Sequence, residues 1–307
     1  MRGKGWGAQM FRLPIMKAFE TTFTVVFGNL LEIIKIVWLP LALMAAALTW
    51  IIVTSFDVLL RMPDQGSPLM ARQSLLFLGE ICLAFLIFLP MVRAGLHRFV
   101  IRGERAKGFF YLRFGADELR IVLTALITYL AIVLAAVGSV IALSLLQAVL
   151  QSIYPPAAPY SQVIVAIPAI IFSVWVVLRL SLSIPAAVGA EGIGTGPSLT
   201  ATEGSTLKLL IYWFLWIIVF SFADAALGFV AGLAFSGIGT DIPKLNVHAS
   251  PHQEFRALLD WLATIDYKRP QIIIGAVIVY LIWIVYEALR ICTSGVAYKL
   301  LTEGDEA

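Results

Sequence analysis

The sequence predicts an all-α integral membrane protein in which six transmembrane helices form three pseudo-repeated hairpins, each introduced by a cytoplasmic elbow helix. Three observations carry that expectation. Of the 307 residues 60% are hydrophobic and 13% charged, with a mean hydropathy of +0.92, whereas an ordinary soluble domain is about 25% charged. Six apolar runs reach the roughly 20 residues a helix needs to cross the hydrocarbon layer. The 22 Lys and Arg exceed the 19 Asp and Glu by only three, yet they gather on alternate connections, as orientation by the positive-inside rule requires.

The spans are expected at about 36–58, 74–92, 121–146, 162–184, 209–235 and 271–291. Their apolar runs are continuous, as in VWLPLALMAAALTWIIV, where the strands of a barrel would alternate. With the N-terminus inside, sixteen of the 22 basic residues fall on the cytoplasmic side, so both termini are expected there. The basic start MRGKGWGAQMFRLP leads into no short apolar core with a small-residue cleavage site, so no cleavable signal peptide is expected. The chain reads as one polytopic domain over 1–307, with hairpins at about 15–100, 101–190 and 191–300.

The lead-ins to the odd-numbered spans resemble one another: GNLLEIIKIVWLPLAL, GADELRIVLTALITYL and EGSTLKLLIYWFLWII. Their basic residues, Lys35, Arg120 and Lys208, are 85 and 88 positions apart. Each even-numbered span closes on an arginine: Arg93, Arg179 and Arg290. Lys35 to Arg93 spans 58 positions and Arg120 to Arg179 spans 59, but Lys208 to Arg290 spans 82. The third hairpin therefore carries an outer-side insertion over 237–270. Within it Ser250, Pro251 and Gln253 read as a helix start, and Phe255, Leu258, Leu259, Leu262 and Ile265 fall on one face.

The segment RLSLSIPAAVGAEGIGTGPSLTATEGSTLKLL, with Pro185, Ala186, Val188, Glu191, Gly192, Ser198, Thr200 and Gly204 after Arg179, resembles the glycerophosphoryl diester phosphodiesterase membrane domain and its stand-alone bacterial relatives. That resemblance implies a six-span fold in a bacterial inner membrane. It implies no phosphodiesterase activity, which in that family belongs to a separate soluble domain for which this chain has no room.

Charged residues inside spans are costly and mark buried pairs or water-filled paths. Glu80 and Asp57 lie near span ends, where the interface is within reach. Asp224 stands in an otherwise uncharged run and shares a helix face with Gly228 and Gly232, a GxxxG pair. A matching small face, Ala131, Ala135 and Ser139, is expected to pack against it, with Asp224 either a polar site facing the interior or a packing aspartate. Glu287 either pairs with Arg290, three residues on, or joins a ring of Arg93, Arg179 and Arg290 suited to lipid phosphates. The loop RAGLHRFVIRGERAKGFFYLRFG is expected to bring Arg98, Arg102, Arg105, Lys107 and Arg113, with Phe99, Phe109, Phe110, Tyr111 and Phe114, onto an anionic inner leaflet. Plain positive-inside anchoring explains the same residues.

No P-loop, HExxH, GxSxG or paired catalytic carboxylates occur, and no cofactor is expected. Cys82 and Cys292 both sit in apolar stretches, so neither a disulfide framework nor a cysteine metal cluster is expected. His248 and His252 are too poorly placed around a helix start to hold a metal. The charge pattern is not that of a nucleic-acid binder. The expectation is a non-enzymatic inner-membrane protein that organises lipid or serves a membrane complex, with membrane lipids and other membrane proteins as partners. A transporter or lipid-moving protein built around Asp224 is the alternative.

Overall fold

The computed structural model describes residues 13–60, 68–106, 108, 111–153, 158–235 and 270–304. In chain order the described elements are α1 (Ile15–Gly28), α2 (Leu30–Leu60), α3 (Pro68–His97), a π-helical turn (Arg98–Arg102), α4 (Ala116–Ile153), α5 (Ala158–Leu180), α6 (Ser183–Gly189), α7 (Thr195–Ala201), α8 (Thr206–Phe235) and α9 (Pro270–Glu303). Six of them, α2, α3, α4, α5, α8 and α9, are long and apolar enough to cross a membrane. At 1.5 Å per residue the 38 residues of α4 extend about 57 Å, well beyond a ~30 Å hydrocarbon layer.

The helices start earlier than their apolar runs. LLEIIK and ADELR lack any helix breaker before the apolar run, so they form the first turns of α2 and α4. The separate helix α1 lies further upstream. It stops at Gly28, and the Asn29 amide donates to the Val25 carbonyl at 3.1 Å. Before α4 stands a different device, the π-helical turn. Gly103 closes it in the left-handed conformation (φ 67°), its N–H returning to the carbonyls of Arg98 and Phe99.

Consecutive long helices pack as pairs, α2 on α3, α4 on α5 and α8 on α9. Helix α9 joins the pairs, since it also touches α1, α2, α3, the π-helical turn, α6 and α7. Most of the packed core sits at that junction. Ile33, Ile36, Val37 and Leu41 of α2, Val92 and Leu96 of α3, and Ile291, Cys292, Val296 and Ala297 of α9 are buried in one cluster. Tyr212 and Trp216 of α8 belong to it, and Phe19 of α1 stacks on Trp216 with ring centroids 4.4 Å apart. The Tyr212 hydroxyl donates to the Thr293 carbonyl at 3.0 Å, tying α8 to α9, whereas the buried Trp216 Nε1 has no hydrogen-bond partner among the described residues.

Glycine permits the closest approaches. A Cβ on Gly295 of α9 would lie 3.0 Å from His97 Nδ1 and 3.3 Å from Val100 Cγ1, so the end of α3 runs almost against the α9 backbone. A Cβ on Gly194 would fall 1.8 Å from the Ser183 carbonyl oxygen, which only glycine avoids. The Gly194 N–H is held by Thr124 Oγ1 at 3.1 Å, tying the α6–α7 link to α4.

Away from this junction the long helices are exposed. Leu126, Leu130, Leu134, Val137, Ile141, Leu145 and Val149 of α4 are all exposed. Between α4 and α5 runs an open apolar groove of about 440 Å³ lined by Ala135, Gly138, Ser139, Ala142, Ala169 and Phe172. The outer insertion with its expected helix, like His248, His252, Lys107, Phe109 and Phe110, lies outside the described residues.

Candidate functional site

Two charged clusters lie at the packed end, and they differ in how completely they are satisfied. The first is built by the π-helical turn and the start of α4. Asp117 and Glu118 occupy the first turn of α4, where the helix dipole favours negative charge. Glu118 Oε2 accepts the Gly115 N–H at 2.7 Å, a capping contact that fixes its rotamer. Its other oxygen pairs with Arg98 Nη2, and both side chains are almost fully buried. Arg98 Nε donates to the Ala94 carbonyl at 3.2 Å.

Asp117 is shared among three guanidiniums, with Arg98 at 3.7 Å, Arg102 at 3.1 Å and Arg120 at 2.9 Å. Arg102 also donates to the Val188 carbonyl and reaches Glu191 at 3.5 Å and Glu104 at 3.6 Å. Glu191, just beyond α6, takes a left-handed conformation (φ 54°), which is costly for a residue with a Cβ. Arg113 meets Glu104 at 3.6 Å. Four arginines thus face four carboxylates, so the charges cancel. The network clamps α3 to α4 and α6.

This placement corrects the expected role of the basic loop. Arg98 is buried rather than spread on a leaflet, because Glu118 neutralises it inside the fold. Phe99 is buried in the core and Tyr111 packs against it. Arg105, Arg113 and Phe114 are exposed. Asp117 and Glu118 were missed as partners, although two acids inside a run of basic residues was the available signal.

The second cluster lies between α3 and α9. Glu287 pairs with Arg290 at 3.4 Å, and Arg93, Arg290 and Glu287 interact electrostatically. Glu287 Oε2 is buried and accepts no hydrogen bond, and His97 Nδ1, one turn beyond Arg93, is buried without a partner. Here two guanidiniums meet one carboxylate. The expected ring of three arginines is divided: Arg179 lies over the Trp175 ring at 5.7 Å, and its carbonyl accepts the Ser198 hydroxyl at 2.8 Å.

The small-residue faces do not meet. Ala135 and Ser139 turn toward α5 and line the groove there, while α8 packs on α9, α5 and α1. Among the described residues, a Cβ on Gly228 or Gly232 would find no atom within 4 Å. Asp224 is exposed and interacts electrostatically with Tyr286 of α9. The reason is that α9 and α1 pack on the inner side of α8 at Tyr212 and Trp216, a face nearly half a turn away from the GxxxG pair. Ala131 is half-buried and Glu80 is exposed.

Among the described residues no group of three His, Cys, Asp or Glu is arranged to hold a metal ion. Cys82 is exposed and Cys292 is buried in the core, both as free thiols. The chain matches no family model, no curated protein and no solved structure.

Proposed function

We propose that this chain is a non-enzymatic multi-pass protein of a bacterial inner membrane that organises lipid or acts as an accessory subunit of a membrane complex, with both termini in the cytoplasm. The observation that supports this reading most is the division of the long helices. Their packed end is locked by ion pairs and core contacts, whereas their other halves present apolar side chains nearly all round, as along α4 and α8. Such surfaces are at home against acyl chains or other apolar helices. The three helix pairs and the recurring arginines fit a threefold repeat of one hairpin, consistent with the family resemblance carried by the segment after Arg179.

A transporter built around Asp224 has less support, because Asp224 lies on an exposed face of α8 beside Tyr286. The test is extraction of the full chain in a mild detergent or a lipid-retaining polymer, followed by native mass spectrometry. Recovery with a stoichiometric membrane-protein partner or with retained lipid is expected. A lone, lipid-free, partner-free chain overturns the proposal.

A further inference from the structure

We infer that Arg93 and Arg290 form a binding site for one phosphodiester anion, that of a phospholipid headgroup, at the level where α3 and α9 leave the exposed apolar surface and enter the packed end. The inference deepens the lipid reading above and rests on it.

The first ground is position. On α3 the outward residues Leu83, Phe85, Leu86 and Ile87 are exposed, whereas 94–100 are buried without a break. On α9 Leu281 and Ile282 are exposed, whereas 291–293 and 295–298 are buried. Inward of these exposed residues, buried positions begin at Pro90 and Val92 on α3 and at Ile284, Glu287 and Ala288 on α9, so Arg93 and Arg290 stand just inside these two changeovers. The close contact of His97 with Gly295 sets the register between the helices. Arg93 lies four residues and Arg290 five residues outward of it, about 6 and 7.5 Å along their axes, so both guanidiniums reach one level. An apolar-to-packed boundary carrying cations is where a phosphate headgroup sits.

The second ground is charge. The Arg98 network balances every guanidinium with a carboxylate and leaves nothing for a ligand. The Arg93 cluster carries two positive charges against the single charge of Glu287. Glu287 approaches Arg290 through Nε, at a distance and geometry that leave Oε2 without a hydrogen bond. A monoanionic phosphodiester would complete the balance, and the fork of a guanidinium matches two phosphate oxygens. Arg179, on α5 and over the Trp175 ring, is outside the site and serves as its internal control.

The experiment is native mass spectrometry of the full chain in detergent, titrated with phosphatidylglycerol, with phosphatidylcholine and with inorganic phosphate as separate arms. One phosphatidylglycerol is expected to be retained in preference to phosphatidylcholine. The double variant Arg93→Gln, Arg290→Gln is expected to weaken retention by about tenfold or more, and Arg179→Gln to leave it unchanged. Glu287→Gln removes the competing negative charge and should strengthen retention several-fold, a gain that a purely structural glutamate would not produce. If inorganic phosphate displaces the lipid, the site takes the free anion by the same chemistry; if it does not, the headgroup is the ligand. Wild-type retention in the double variant, or an equal loss in Arg179→Gln, overturns the site. Should the double variant fail to fold, unchanged or weaker retention in Glu287→Gln overturns it instead. A chain that loses its protein partners yet keeps this lipid refutes the accessory-subunit reading alone, whereas a chain with partners and no lipid refutes the site alone.

Discussion

The two ends of α4 are made under different rules. Its first turn carries Asp117 and Glu118, both buried and paired, and Thr124 nearly two turns further on holds the Gly194 amide. Beyond Leu134 it offers Val137, Val140, Ile141, Leu145 and Val149 to the outside, with a groove against α5 where a soluble helix would have interlocked side chains. The difference is the one that the proposed membrane setting asks of the two ends. Where water borders the protein, apolar surface must be buried at about 25 cal/mol per Å², and charges withdrawn from it must be paired. Where acyl chains border it, apolar side chains gain little from mutual packing, so the helices separate. The packed end holds the architecture, and the exposed halves meet the surroundings.

The sharpest way to break this comparison is at the buried pair. Glu118→Ala leaves Arg98 charged and buried with only Asp117, 3.7 Å away and shared with Arg102 and Arg120, and the expected loss is about 3–5 kcal/mol, the range for removing one partner of a buried ion pair. Replacing both, Arg98→Met with Glu118→Leu, removes that buried charge and should recover much of that loss. Unfolding of the detergent-solubilised chain, followed by its helical circular dichroism in a double-mutant cycle, checks both. Additive losses would mean that Arg98 and Glu118 do not act as a unit.

A smaller effect is expected one step from the charges, at the backbone contact between α6 and α7. Gly194→Ala places a Cβ where the Ser183 carbonyl already stands, and the link must shift. Overpacking of this kind costs about 1–3 kcal/mol. The loss should be visible as a lowered midpoint and as faster proteolysis between α6 and α7. A midpoint equal to wild type would show that this junction is looser than its glycine contact indicates.

Legibility in the sequence divides along the same line. Each long helix announces itself because a run of about 20 apolar residues is a local property, and LWIIVFSFADAALGFV needs no knowledge of its neighbours. The packed end is a property of pairs. Arg98 and Glu118 are twenty positions apart, and a basic residue on a connection reads as surface until the acid that neutralises it is located. Arg93 and Arg290 could be placed at one depth from the repeat, but their separation from Arg179 depends on Trp175 and on the α3–α9 contact at Gly295. The lead-ins misled for a related reason. They are amphipathic, yet without a breaker between lead-in and span the helix simply continues. The separate elements before spans lie further upstream: α1, set off by Gly28 and Asn29, before α2, and α6 and α7 before α8.

The smallest expected effect lies on α8, and it tests whether the exposed halves are free of internal packing. GxxxG is a backbone pattern that permits close approach but names no partner, and here Gly228 and Gly232 meet nothing within 4 Å among the described residues. Gly228→Leu and Gly232→Leu should therefore leave the unfolding midpoint within the ±0.5 kcal/mol typical of surface positions, in contrast to Gly194→Ala. The same variants bear on the environment of the chain. If α8 meets only lipid, the species seen after mild extraction will not change. If a neighbouring helix uses the small face, the folded chain will survive while its association is lost, which assigns that surface to another protein rather than to the interior. A fall in the stability of the isolated chain would instead show that the outer half of α8 packs within the molecule, and the contrast between the two ends would then need redrawing.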